Sequence, residues 1–119
     1  MSRKSRERSL EAQERWPNLA QFLGGYLHED WPEESGTVER AIDAAVAGWD
    51  LEGRQQVLKE WRDWNNVRGS RTDIAASVND GLGVEVHFAT EAEARQIMNL
   101  VYDKLIASVR AETEGKWKP

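Results

Sequence analysis

Apolar positions along this chain recur mostly three and four residues apart, the spacing of helices that bury one side. The first stripe, Leu19, Phe22, Leu23, Tyr26 and Leu27, predicts a helix capped by Asn18 just after Trp16-Pro17. It contains Gly24-Gly25. Two adjacent glycines each cost a helix about 0.5–1 kcal/mol relative to alanine, so a close helix contact is expected at that point. Pro32 to Thr37 reads as an acidic loop. Behind Thr37, a plausible cap, Val38, Ala41, Ile42, Ala45, Val46 and Trp49 form a second stripe. A third follows Asp50 as Val57, Leu58, Trp61 and Trp64, and ends where Asn65-Asn66 and Gly69 break the pattern. Ile74, Ala75 and Val78 predict a short helix between Asp73 and Asn79, closed by the turn signal Asn79-Asp80-Gly81.

The period changes over Gly81 to Phe88, where Leu82, Val84, Val86 and Phe88 alternate with Gly83, Glu85 and His87. A single strand in a helical chain has nothing to pair with, so an extended connector near residues 82–88 is expected rather than a sheet. Thr90-Glu-Ala-Glu93 has the form of a capping box. It opens the longest stripe, Ala94, Ile97, Met98, Val101, Tyr102, Leu105, Ile106 and Val109, which should form the backbone of the core. The expected architecture is all-α, a compact single-domain bundle of about four to five helices with one short extended segment. Residues 1–15 are expected as a partly flexible charged segment, 16–112 as one helical domain and 113–119 as a tail.

Composition narrows the class. At 119 residues, 39% hydrophobic and 31% charged, the chain suits one soluble globular domain with a heavily charged surface. The start, Met-Ser-Arg-Lys-Ser-Arg-Glu-Arg, lacks the apolar centre of a secretory signal, and a cytoplasmic location is the expectation. With no cysteine, disulfides, thiolate metal sites and cysteine nucleophiles are excluded. The net charge of −5 is unevenly placed. Between Trp16 and Leu51 seven acids (Glu29, Asp30, Glu33, Glu34, Glu39, Asp43 and Asp50) face Arg40 alone, a local balance of −6 that repels nucleic acid and attracts a basic protein surface. The first fifteen residues carry +2.

Little catalytic chemistry is on offer. His28 and Asp30 sit beside each other, but with His87 distant there is no paired ligand spacing for zinc, and a structural histidine at a helix end is the better reading. Ser35, Ser70, Ser77 and Ser108 lie in no nucleophile elbow, no phosphate loop is present, and Gly81-Leu-Gly83 is too short for a dinucleotide fingerprint. No cofactor is implied. Of six tryptophans, Trp49, Trp61 and Trp64 fit the core stripes, whereas Trp16, Trp31 and Trp117 lie at element edges, where an indole can anchor a partner or fold back as a lid.

The densest combination of types is Trp16-Pro-Asn-Leu-Ala-Gln-Phe-Leu-Gly-Gly-Tyr-Leu-His-Glu-Asp-Trp31. It resembles the immunity proteins of bacterial contact-dependent growth inhibition systems, through Phe22, Gly24 or Gly25, Tyr26, His28, Asp30 and Trp31 followed by an acidic loop and an amphipathic helix. Leu27 stands where that family often has an aromatic ring, and Glu29 where it often has glutamine. The resemblance implies a non-enzymatic protein that binds the cognate toxin C-terminal domain of a contact-dependent inhibition effector. It implies no direct contact with nucleic acid or membrane. Such toxins often resemble nucleases, whose clefts must be basic, so Glu29, Asp30, Glu33, Glu34 and Asp43 are the candidate toxin-binding residues. Phe22, Gly25, Tyr26, His28, Asp30 and Trp31 are assigned mainly to structure. The alternative is a small helical nucleic-acid-binding or regulatory protein using the basic N-terminal end with Arg62, Arg68 and Arg71.

Overall fold

The computed structural model describes residues 2–119. Among them are seven α-helical segments and no strand: α1 (Arg3–Arg15), α2 (Pro17–Tyr26), α3 (Trp31–Ser35), α4 (Val38–Gly48), α5 (Leu51–Trp64), α6 (Ile74–Ala76) and α7 (Glu91–Glu112). Two π-helical turns, Asn65–Gly69 and Ser77–Gly81, extend α5 and α6. Helices α2, α4, α5 and α7 enclose the core. Along α7, Ala94, Met98, Val101, Leu105 and Val109 are fully buried, and burying each of the larger side chains contributes about 1.5–3 kcal/mol.

The all-α expectation holds, but the helix count of four to five is too low. Two segments, α1 and α3, account for the difference. Residues 3–15, expected as a charged and partly flexible end, form α1, which follows the Ser2 cap and buries Ala12 alone. Its other attachments are polar. Ser5 Oγ donates to Asp80 at 2.9 Å, Arg8 reaches Asp73 and Asp80 at 3.3 and 3.4 Å, and Arg68 grips both oxygens of Glu11 at 2.6 and 2.8 Å. The acidic loop at Pro32 to Thr37 is in part the single-turn helix α3, with Pro32 in its first turn and Gly36, at a φ of 81° that a side chain resists, closing it. The helix between Asp73 and Asn79 is only α6, continued by the second π turn.

Three helix starts follow the expected side-chain logic. Thr37 Oγ1 accepts from Arg40 N–H at 3.1 Å, Asp50 Oδ1 from Gly53 N–H at 2.8 Å and Thr90 Oγ1 from Glu93 N–H at 3.2 Å. The returning arm of the capping box, Glu93, accepts from Ala89 N–H at 3.0 Å, one residue further back than in the standard motif. The start of α2 departs from expectation. Asn18 does not cap it; Trp16 occupies that position with no side-chain bond, and Pro17 takes the first helical place. The free N–H groups of Asn18 and Leu19 donate instead to Glu60 Oε1 on α5, at 2.8 and 3.1 Å. Glu60 Oε2 accepts from the Asn18 amide at 2.7 Å and from Gln56 at 3.0 Å. Glu60 is 6% exposed, so a carboxylate supplied by another helix caps α2 while facing the positive end of its dipole.

The backbone of the expected connector carries neither helix nor strand over residues 83–88. Gly83, at φ 70°, takes the left-handed conformation that releases the chain from the π turn. Gly24 faces this crossing, since a Cβ there would sit 3.7 Å from the carbonyl oxygens of Leu82 and Gly83. At Gly25 a Cβ would meet nothing within 4 Å, so neither glycine is required by a close helix contact; Gly24 meets only the connector, at an ordinary van der Waals distance.

Glu60→Ala leaves two backbone donors at the α2 start without their buried acceptor and should cost about 3 kcal/mol in urea unfolding. A loss under about 1 kcal/mol would show that water caps α2 equally well. The Glu11 carboxyl is held below its ordinary value of 4.5, chiefly by the hydrogen bonds from Arg68 and against the effect of burial. A lowered folded value stabilises the protein above the unfolded value and is lost as pH falls through the folded one. Arg68→Ala should therefore be less stable than wild type at neutral pH, with the gap narrowing below pH 4.5.

Candidate functional site

The corner between α2 and α3 is built by hydrogen bonds to backbone. Leu27, buried past the end of α2, donates its N–H to Leu23 at 2.8 Å, and its carbonyl accepts from Glu85 N–H at 2.8 Å. His28 carbonyl accepts from Trp31 N–H at 3.0 Å, turning the chain into α3. The Trp31 indole N–H then donates to Glu85 carbonyl at 2.8 Å. Trp31 thus pins α3 to the connector while its half-buried ring packs on the core.

The histidine has a defined tautomer. Its Nδ1 accepts from Asp30 N–H at 3.1 Å, and since a backbone N–H only donates, the ring proton is on Nε2, which meets Glu34 Oε2 at 3.1 Å. His28, Asp30 and Glu34 offer ligand atoms within 4.8 Å of one another, yet the one imidazole lone pair already serves the Asp30 backbone. This arrangement closes a turn and leaves the ring no lone pair for a cation.

The remaining motif residues hold helices together. The Phe22 ring is fully buried and meets Trp49 edge-on, with centroids 5.6 Å apart and planes at 69°. Tyr26 lies across the end of α4, where a Cβ on Gly48 would collide with its hydroxyl. Packing makes no demand for glycine at Gly25.

Of the acidic residues singled out from the sequence, the structure separates two from the rest. Asp43 lies 2.7 Å from Lys104 Nζ, which also meets Glu39 at 3.2 Å, and the Asp43 hydrogen bond is the main reason the Lys104 pKa is raised. Glu34 is engaged by His28. Glu29, Asp30 and Glu33 are exposed, and their carboxylates have no ion pair or hydrogen bond among the described residues. Glu85 joins them. Its backbone is bonded to Leu27 and Trp31, its side chain is exposed, and it lies 54 positions from Trp31 in the chain, which is why sequence spacing missed it. Its only trace in the sequence is the alternation of Glu85 and His87 with valines.

The basic candidates are largely matched within the fold. Arg68 binds Glu11, Arg8 binds Asp73 and Asp80, and Arg15 binds Asp63 at 3.2 Å. Arg62 and Arg71 donate to the Pro119 and Val67 carbonyls. Among the edge tryptophans, Trp16 is 2% exposed with its N–H on Asp63 at 2.7 Å, so it is core rather than an anchor, and Trp117 packs half-buried on the core.

The helical fold thus carries an exposed acidic corner braced from behind by backbone bonds. Residues 15–105 match the CdiI immunity protein family, and the chain belongs to that family. It is therefore an immunity protein of a contact-dependent growth inhibition system, with a cognate toxin as its partner. No curated protein and no solved structure matches the chain. Among the described residues no helix is long and apolar enough to cross a membrane.

Trp31→Phe keeps the ring and removes the N–H that holds Glu85. The expected cost is about 1 kcal/mol, with faster amide exchange confined to the corner and residues 83–88. Exchange unchanged at Glu85 would show that the Leu27 carbonyl holds Glu85 without help from the indole.

Proposed function

We propose that this immunity protein neutralises its toxin by covering a basic surface on it with the acidic corner at the α2–α3 junction, and that the toxin is a nuclease. The supporting observation is the distribution of unmatched charge. Arg and Lys side chains hold Glu11, Asp63, Asp73, Asp80, Glu39, Asp43 and Glu112 in ion pairs and the His28 N–H faces Glu34, whereas Glu29, Asp30 and Glu33, close together in the chain, and Glu85, bonded to the same corner through its backbone, have no ion pair among the described residues. Such a patch complements a phosphate-binding cleft and steers two proteins together over a Debye length of about 8 Å at physiological salt. Asp43 and Glu34 contribute less to this field, because a cation or an N–H donor already faces each. Binding in this reading is direct, takes place in the cytoplasm, and needs neither catalysis nor a cofactor on the immunity protein.

The test uses the toxin domain encoded beside this gene. Reversing Glu29 and Glu33 to lysine should slow association at least about tenfold at low salt and abolish protection of cells producing the toxin, while the circular dichroism spectrum is unchanged. Reversing Glu14 on α1, an exposed residue away from the corner, should leave the rate within about twofold. Equal rates for both variants would place the interface elsewhere, and a toxin without nuclease activity would remove that part of the reading.

A further inference from the structure

A cavity of about 10 Å³ lies beneath α1, lined by Arg8, Glu11, Trp16, Trp64, Arg68 and Ser77, together with Gly81. That is the space explored by the centre of one water molecule. Two of the lining residues carry unmet hydrogen-bonding capacity. Trp64 is 0% exposed and Ser77 4% exposed, and neither Trp64 Nε1 nor Ser77 Oγ has a partner among the described residues. The contrast with the other buried indoles is sharp, since Trp16 donates to Asp63 at 2.7 Å and Trp61 to Met98 carbonyl at 3.0 Å. Buried N–H groups with no partner are rare because desolvation is not compensated.

We propose that this cavity is a binding site for a single structural water, which accepts the Trp64 indole N–H and shares a hydrogen bond with the Ser77 hydroxyl. Size and charge select the ligand. A metal ion would meet an indole N–H and the guanidinium-bearing Arg8 and Arg68, and a chloride would meet the Glu11 carboxylate. Water both donates and accepts, and the polar rim of Arg8, Glu11 and Arg68 offers further partners toward the two to four it needs. The bound water would tie α5, which carries Trp64, to the π turn that begins at Ser77. Two residues on, Asn79 of that turn grips the connector through Val84 and Val86 carbonyls, each at 2.8 Å. The water is thereby a hidden brace, two steps removed from the acidic corner.

Nuclear magnetic resonance of the isotopically labelled full chain tests this directly. The Trp64 indole N–H, assigned by its loss in Trp64→Phe, should show cross-relaxation with the water frequency of the sign given by a long-lived bound molecule. Ser77→Val, which places methyl groups in the cavity, should abolish that signal. Absence of the signal in the wild type, or its persistence in Ser77→Val, overturns the proposal. Should either variant fail to fold, a crystal structure of the wild type decides. Solvent density about 2.7–3.2 Å from both Trp64 Nε1 and Ser77 Oγ supports the site, and protein partners for both atoms with no such density refute it.

Discussion

An extended segment with no neighbouring strand has to find partners for its backbone from somewhere else, and the connector after the second π turn does so on both edges. On one side the Asn79 amide gives its two protons to Val84 and Val86 carbonyls, each at 2.8 Å. On the other, Glu85 donates to Leu27 carbonyl and accepts from the Trp31 indole, again at 2.8 Å. Val84 N–H bonds back to Val78 at 3.4 Å. Two side chains and the carbonyls of Leu27 and Val78 thus do the work of a sheet partner. The arrangement couples the end of α2, the start of α3 and the π turn through one short piece of chain. A change at any of Asn79, Trp31 or Leu27 is felt at the other two.

A similar economy governs the charges. The chain carries 21 acids and 16 Lys and Arg residues, which would allow acidic patches over much of the surface. Instead, ion pairs draw α1 onto the π turns, α4 onto α7 through Lys104, and α5 onto the end of α7 through Arg54 and Glu112. Arg54 shows why such pairs stay structural. It is 5% exposed, and its guanidinium also donates to Ser108 and to the Trp49 and Asp50 carbonyls, so each nitrogen of the buried charge has an acceptor. The corner at Glu29 to Glu33 is left with carboxylates that the fold does not use, and surplus of one sign at one place is what steers a partner.

How much of this could be read from the chain depends on whether the signal was local. Helices α4, α5 and α7 were legible because each has a wide apolar stripe and a short side chain at its cap, both written within a few residues. The extended connector was legible from its change of period. Helix α1 was not, because it buries one alanine and is held by ion pairs to residues 48 to 72 positions away. The cap of α2 was misassigned to Asn18 for a related reason. A polar residue beside a proline is a sound local signal, but Glu60 reaches the same donors from another helix. At the candidate site the sequence exposed the acidic run and the pattern from Phe22 to Trp31. It could not expose Glu85, nor show that Lys104 matches Asp43, because both follow from packing distant segments.

The two layers of the corner suit a protein whose task is to bind. Its backbone is held at Leu27, His28, Asp30, Trp31 and Glu85 by bonds of 2.8 to 3.1 Å, whereas the carboxylates of Glu29, Asp30 and Glu33 have no partner within the fold. Association costs conformational freedom, and a surface whose backbone is already fixed has less of it to lose. Unpartnered carboxylates carry no intramolecular ion pair that must break before a partner's cation can approach. Had His28 been arranged to bind a metal, the ring would have had to release the Asp30 N–H, and the turn that presents these acids would loosen with it. The histidine and tryptophan of the motif therefore hold the frame from which the carboxylates project.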